Sequence, residues 1–230
     1  IRGPLGVILS GVELVLDGLC GGISQAQSET LKMIKHNGEH LLDLVNDVLD
    51  YAKAEAGKVK AKAVELSVQA LLTDLTNVVR SQAMAKKHRL VLEPIDSQLG
   101  MVCDKRHARQ ILINMLTNAV KYTPEQGEIV VRAERIPGSR VKVSISDTGI
   151  GIPDDEKDKV FSAFERVDDK YAQNQVGTGL GMPITKKLAE INKGSIDFES
   201  QEGKGSTFWI TMPSVEILPK TVEDFQENIP

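Results

Sequence analysis

The sequence predicts an α+β protein: an N-terminal antiparallel helical hairpin followed by an antiparallel-rich sheet with helices on one face. Three observations predict it. Apolar residues recur at steps of three and four through residues 5–52. Beyond residue 63, short β-branched runs bounded by Gly and Pro alternate with further helical stripes. The length, 230 residues, suits one large domain or two small ones and provides a core that needs no disulfide staple.

Composition narrows the function classes. Hydrophobic residues at 41% and charged residues at 26% describe a globular chain. Lys plus Arg (28) falls below Asp plus Glu (32), a net charge of -4, which argues against neutralising nucleic-acid phosphates. Aromatics at 4% are too sparse for stacking on single strands, so no nucleic-acid partner is expected. Cys20 and Cys103 match no metal or CxxC spacing and are read as reduced thiols. The most apolar stretch, Leu5 to Leu19, is broken by Glu13 and Asp17, so no membrane span is expected. With Ile1 first and no signal-peptide pattern, the chain reads as a piece of something longer.

The first helix is expected over Leu5–Leu19, with Leu5, Ile8, Val12, Val15 and Leu19 as its stripe, widened by Leu9 and Leu16. Gly21, Gly22 and Ser24 break the chain. A second stripe follows: Leu31, Ile34, Gly38, Leu41, Val45, Val48 and Ala52, stopping at Gly57. These apolar faces are wider than one partner helix covers. Dimerisation into a four-helix bundle answers this; packing of the hairpin on the rest of its own chain is the alternative. His36 and His40 sit one turn apart, but no third ligand follows, and they are read, like His88 and His107, as solvated histidines.

After a charged link at Lys58–Lys62, strands are expected at Val64–Val68, Arg89–Leu92, Met101–Cys103, Glu128–Ala133, Val141–Ser146, Ser195–Glu199 and Thr207–Met212. Helices are expected at Leu71–Met84, Arg106–Tyr122 and Leu180–Ile191. Pro137 and Gly138 predict a hairpin between two of the strands. The acidic stretch from Ser214, with Pro219 and Pro230, reads as a linker or tail. The expected domains are therefore 1–58, 59–213 and a tail at 214–230.

Three polar clusters stand out. At about 100° per residue, Asn114, Asn118, Lys121 and Tyr122 share one arc of their helix. Asparagine is a poor interior helix residue, so two beside a cation and an aromatic ring fit a site, and an amide oxygen suits Mg²⁺; an exposed polar face fits equally. Ser146–Asp147–Thr148–Gly149–Ile150–Gly151 ends a strand in a carboxylate able to accept from an exocyclic amine, or simply opens a turn. Gly177–Thr178–Gly179–Leu180–Gly181 opens a helix whose first N–H groups can face an anion. Its spacing is neither the dinucleotide fingerprint nor a Walker loop, and alone it says little about phosphate.

Taken in order, the clusters make the chain resemble a sensor histidine kinase core over residues 1 to about 213. Leu41–Lys58 is similar to the second helix of the dimerisation and phosphotransfer domain, and Asn114–Thr123 (NMLTNAVKYT) to the N box. Asp147–Ile152 (DTGIGI) resembles the G1 box, Phe161–Asp168 (FSAFERVD) the F box, Gly177–Gly181 (GTGLG) the G2 box and Gly203–Phe208 (GKGSTF) the G3 segment.

The resemblance implies an α/β sandwich of the Bergerat ATPase type with ATP and Mg²⁺ as its cofactors. Asn118 would hold the metal, with Asn114 nearby; Lys121 and Arg166 would meet the phosphates. Tyr122 would line the adenine side, and Asp147 would bind the adenine amine. Gly177, Gly179 and Gly181 would cradle phosphates beneath a lid at residues 166–176 that Phe161 and Phe164 anchor. Gly149, Gly151, Thr178, Leu180 and Thr207 complete the implied ATP-binding set, with Asn114, Lys121 and Arg166 as the catalytic residues.

The opening Ile1–Arg2–Gly3–Pro4–Leu5 is similar to the end of the family's H box, which places the phosphoacceptor histidine just upstream of Ile1. The implied activity is autophosphorylation of that histidine and relay to a response-regulator aspartate. Gly3 stands where the family often has Thr or Asn for dephosphorylation, Val176 replaces a common Gly, and Met182–Pro183 follow the last glycine. The implied partners are a second copy, through the hairpin, and a receiver domain. The implied location is cytoplasmic, in a parent protein open to a membrane anchor, with the hinge near Gly57–Ala63. The rivals are a gyrase- or Hsp90-like ATPase, which uses a Glu where Asn114 sits, and an ATP-binding pseudokinase scaffold acting through the hairpin.

Overall fold

A computed structural model describes residues 2–165 and 179–217, with Arg2 described by its backbone alone. The chain forms two compact units, Ile1–Glu55 and Ala56–Pro230.

The first unit is the hairpin of α1 (Arg2–Leu16) and α2 (Gln25–Glu55). Ser24 and Gln27 begin α2 with a capping box: the Gln27 N–H donates to Ser24 Oγ (3.3 Å) and the Ser24 N–H to Gln27 Oε1 (2.8 Å). Past its end, Gly57 takes φ +64°, the left-handed conformation expected of a C-terminal stop. Gly38 explains itself by contact. A methyl group there would reach Leu9 Cδ2 at 2.7 Å, so the missing side chain lets the two helices approach. Glu13 bridges to Lys35 across the pair (2.7 Å).

The inner stripe of α1 differs from the expected one. Leu5 and Val12 are buried, whereas Ile8 is exposed and Leu19 falls beyond the helix end, also exposed. The helix stops three residues early because Gly18 turns at φ +77°. His36 is exposed as expected; His40 is only half-exposed, with Nε2 buried.

The second unit is a seven-stranded sheet covered on one face by three helices. Its strands are β1 (Ala63–Ser67), β2 (Arg89–Leu92), β3 (Leu99–Asp104), β4 (Glu128–Ile136), β5 (Arg140–Asp147), β6 (Ser195–Gln201) and β7 (Gly205–Glu216). Its helices are α3 (Val68–Ala85), α4 (Lys105–Tyr122) and α5 (Gly181–Ile191). The order is β1-β3-β7-β5-β4-β2, with β6 also on β7. The β2–β4 pair is parallel; the other described pairs are antiparallel, including the expected β4–β5 hairpin. Along β5, Val141, Val143 and Ile145 are buried while Lys142, Ser144 and Ser146 face the other way. Leu72, Leu75, Ile111, Leu112, Leu116 and Leu180 fill the helical side of the core.

Two expectations need correction. The tail expected from Ser214 is still sheet: Ser214, Val215 and Glu216 pair with Met101, Gly100 and Leu99 of β3. Pro213 interrupts neither pairing, its missing N–H being tolerated where β7 passes from β6 to β3. His88 and His107 are not solvated; each is 8% exposed and hydrogen-bonded. Both cysteines are free, Cys20 exposed and Cys103 buried, and burial pushes the Cys103 thiol up to about 12. Among the described residues no helix is long and apolar enough to cross a membrane.

Asp104 ties much of this unit together. Its Oδ1 accepts from the N–H groups of Arg106 and His107, capping α4, and its Oδ2 accepts from Lys62 N (2.9 Å). Its own N–H donates to Asn192 Oδ1 at the end of α5 (2.8 Å), and Asn192 Nδ2 lies 2.9 Å from His107 Nδ1. Burial alone would raise the Asp104 carboxyl; the three N–H donors outweigh it and hold it below the usual range. Replacing Asp104 with Ala removes a helix cap and strands the Lys62 donor. The expected loss is about 2 kcal/mol, read as a lower urea midpoint at unchanged slope.

Candidate nucleotide site

The site grows from the end of β5 and the C-terminal half of α4. Asp147 closes β5, half-buried, and its Oδ1 accepts from Gly149 N (2.8 Å). Burial pushes its carboxyl up to about 6, against the pull of backbone N–H groups from Gly149 and Ser206. At neutral pH it is therefore mostly ionised but poorly solvated, and it stands to gain from a donor.

The loop after it is held in place bond by bond. Thr148 N donates to Glu128 O, Ile150 N to Tyr122 O (3.2 Å), Ile152 N to Ser200 Oγ (2.8 Å), and Gly203 N to Ile150 O (2.7 Å). Two glycines are obligatory. Gly151 sits at φ +69° with the Gln201 carbonyl where a side chain would start. Gly205 sits at φ +112° against the carbonyl of Asp147 itself. Thr207 lies on the neighbouring strand, its Oγ1 donating to Ser146 Oγ (2.9 Å).

The α4 arc separates two asparagines that look equivalent in sequence. Asn114 is committed. Its Nδ2 donates to Gly181 O and to Thr185 Oγ1 (both 3.2 Å), and its Oδ1 accepts from Gln110 (3.4 Å), so it fastens α4 to the start of α5. Asn118 is half-buried, and its amide has no hydrogen-bond partner among the described residues. Its oxygen has the hard-ligand chemistry that Mg²⁺ takes. Among the described residues, no three His, Cys, Asp or Glu side chains cluster as a metal site of their own. Lys121 Nζ lies 4.8 Å from the centre of the Tyr122 ring, so these two side chains share one end of the helix.

Around α5 the expectations divide. Gly181 starts the helix, and the side chain of Leu180 before it makes no capping hydrogen bond. Gly179 takes φ +70°, and its carbonyl accepts from Phe164 N (3.3 Å). Leu180, expected among ATP-binding residues, is wholly buried, and its side chain is part of the core. Phe161 packs edge-on against Phe198 (5.7 Å), which stacks on Phe208 (5.0 Å). Phe164 is 65% exposed at φ +65°, and the lid it is expected to anchor lies outside the described residues. Arg166, Gly177 and Thr178, and the expected lid, lie outside the described residues.

Comparison with known proteins follows the same division. Residues 1–57 match the His Kinase A (phospho-acceptor) domain, and residues 103–216 match the histidine kinase-, DNA gyrase B- and HSP90-like ATPase family. The chain belongs to the sensor histidine kinase family. It is 36% identical over 233 residues to the circadian input-output histidine kinase CikA of Synechococcus elongatus, covering all of this chain and 31% of the relative. It is also 36% identical over 234 residues to the sensor protein GacS of Pseudomonas syringae, covering 25% of that protein. This kinase core thus spans under a third of these relatives. Its structure is similar to full-length ShkA, crystallised with AMPPNP, at a TM-score of 0.79 and 28% identity, covering 95% of this chain and 44% of that one. The fold of histidine kinase catalytic domains, the Bergerat fold, is the fold of its second unit.

Sequence reasoning missed several residues that shape this kinase core: Lys86, His88, His107, Asn192 and Ser200. Each pairs with a backbone group or, for His107, a side-chain amide distant in sequence, and such pairings leave no local spacing to read.

The raised Asp147 carboxyl gives a signed expectation. Its contribution to stability is full below the unfolded value near 3.8 and is lost as pH rises through about 6, because the buried group must then ionise. Asp147→Asn removes that cost. In the nucleotide-free protein, thermal or urea unfolding should show the variant more stable at pH above about 7, by up to about 3 kcal/mol, with the gap closing toward pH about 4.

Proposed function

We propose that this chain is the core of an ATP-dependent protein histidine kinase of a two-component system. Its second unit binds Mg-ATP, and the γ-phosphoryl group passes to a histidine that the family pattern places upstream of Ile1. In that step a nitrogen–phosphorus bond forms, the bond from the γ-phosphorus to the bridging oxygen breaks, and ADP leaves. The phosphoryl group then moves to a response-regulator aspartate. A cytoplasmic location fits the chemistry, since ATP is there.

One observation carries the reading: a half-buried, poorly solvated carboxylate, Asp147, closes the strand beside a helix that offers an uncommitted amide, Asn118, and a lysine, Lys121. Asp147 accepts the adenine amine, exchanging lost hydration for a hydrogen bond to a charged acceptor. Tyr122 supplies an apolar wall at the end of α4. Lys121 and Arg166 neutralise phosphate charge, and the start of α5, with Gly177, Gly179 and Gly181, directs N–H groups to it. Bound Mg²⁺ would spread the negative charge of the transferring group, held by Asn118. Asn114 fixes the distance between α4 and α5. Catalysis on this reading is positioning plus charge neutralisation.

The hairpin supports a second copy as partner. Ile34, Leu41 and Val48 repeat at seven-residue spacing along α2 and are 42%, 47% and 43% exposed, an apolar line that α1 leaves uncovered. Asn114, where water-activating ATPases of the superfamily would carry Glu, supports transfer to a side chain over hydrolysis. An ATP-binding scaffold without kinase activity is the second reading, separated by the assay below.

Asn118→Ala is expected to weaken nucleotide binding in the presence of Mg²⁺ and to change it little in EDTA, while Asp147→Ala weakens it in both. Each loss is about ten-fold or more by titration calorimetry. Unchanged Mg-ATP affinity in both variants refutes the site. A longer chain including the residues before Ile1, given labelled ATP, should form an acid-labile phosphoprotein; nucleotide binding without that product supports the scaffold.

A further inference from the structure

Helix α4 ends without a glycine cap. Its last carbonyls are instead taken up by groups from elsewhere. Lys86 Nζ donates to the carbonyls of Val120 (3.0 Å) and Lys121 (2.8 Å). The Tyr122 carbonyl accepts from Ile150 N (3.2 Å). His88 Nε2 lies 3.1 Å from Thr123 O and 3.0 Å from Pro124 O. Two carbonyl acceptors at one ring nitrogen place the proton on Nε2, shared between them. Nδ1 is buried with no hydrogen-bond partner among the described residues. Five consecutive carbonyls, from Val120 to Pro124, are thereby held from outside the helix.

The segment that supplies these donors is itself braced. His88 N donates to Ala83 O (2.8 Å), Gln126 N to Lys86 O (3.0 Å) and Arg89 N to Gly127 O (2.9 Å). Lys87 turns through φ +56° between Lys86 and His88. The helix end so gripped bears Lys121 and Tyr122, and its middle carbonyl is the one that joins the Asp147–Ile152 loop. A cation at a helix C-terminus also suits the helix dipole.

We propose that Lys86 and His88 are positioning residues of the nucleotide site, fixing Lys121 and Tyr122 against the Asp147 loop by clamping the last carbonyls of α4. The inference rests on the nucleotide reading given above. A simple helix cap would lower stability and leave the folded protein's affinity alone; a positioning clamp changes the affinity itself. That difference is the test.

In the full 230-residue protein, Lys86→Met and His88→Leu are compared with the conservative Lys86→Arg and His88→Gln, whose side chains keep N–H donors. Leu75→Ala, a core truncation in α3, serves as a destabilised control. The dissociation constant of a fluorescent ATP analogue is measured at a temperature where circular dichroism shows every variant folded, beside each urea midpoint. Lys86→Met and His88→Leu are expected to weaken binding about ten-fold, the conservative pair to recover to within about three-fold, and Leu75→Ala to lose stability at wild-type affinity. Lower midpoints with wild-type affinity in Lys86→Met and His88→Leu overturn the clamp and leave a cap. Should His88→Leu fail to fold, the Lys86 pair decides alone. A wild-type protein that binds no analogue overturns the nucleotide reading, and the clamp's role with it, whereas wild-type binding with insensitive variants overturns the clamp only.

Discussion

The second unit depends on where one carboxylate sits. Asp147 stands at the last residue of β5, between β4 and β7, where its backbone completes pairs with Ile129 and Ser206. Its position is therefore fixed by the sheet rather than by a flexible loop. Burial raises it to about 6, a cost that the N–H groups of Gly149 and Ser206 offset only in part. The surrounding glycines follow from it. Gly205 has no side chain because the Asp147 carbonyl occupies that space, and Gly149 has none because Asp147 Oδ1 and the Tyr122 carbonyl close over it. A glycine-rich sequence here reflects crowding of backbone around one acid.

The helices are held to that point by polar contacts rather than by apolar packing alone. Asn114 joins α4 to the start of α5, Asn192 joins the end of α5 to His107 and Asp104, and Lys86 and His88 hold the far end of α4. Apolar packing tolerates sliding; a hydrogen bond of about 3 Å with a buried partner does not, because an unmade buried bond costs more than a shifted methyl. The two ends of α4 and both ends of α5 are therefore fixed more tightly than leucines would fix them. That is the rigidity required where several groups must converge on one ligand.

Much of this was legible in the sequence. Period and turn residues placed the helices and strands within a few positions, since each signal is local: Val141, Val143 and Ile145 alternate visibly, and Ser24 and Gly57 bracket α2. The polar clusters around Asn118 and Asp147 were visible because Asn in a helix and Asp before glycines violate local preference. What escaped was tertiary. The acidic stretch from Ser214 read as a tail, yet β3 supplies a partner that extends β7 to Glu216. His88 and His107 read as surface residues because their hydrogen-bond partners lie 35 and 85 positions away. Spacing alone groups Asn114 with Asn118, since it is the partners across the helix interface that commit the Asn114 amide, while Asn118 has none among the described residues. Leu180 was grouped with its loop neighbours although its side chain points into the core.

The two units differ in self-sufficiency, and this bears on what the hairpin must do. Within α1 and α2, Leu5, Val12 and Ala54 are the buried apolar residues among those described, while the apolar side chains of Val7, Ile8, Leu14, Met33, Ile34, Leu41, Val48 and Leu49 are substantially exposed. Fully burying one such side chain is worth roughly 2 kcal/mol, so the exposed set outweighs the buried one. A two-helix unit cannot offset the entropy of ordering about fifty residues with so small a core. The second unit has no such deficit, since its sheet and three helices enclose a dozen large side chains of their own. Among the described residues, the need for an apolar partner is therefore greatest in the hairpin. On the proposed reading, the seven-residue spacing on α2 suits a helix of a second copy, which presents a matching ridge.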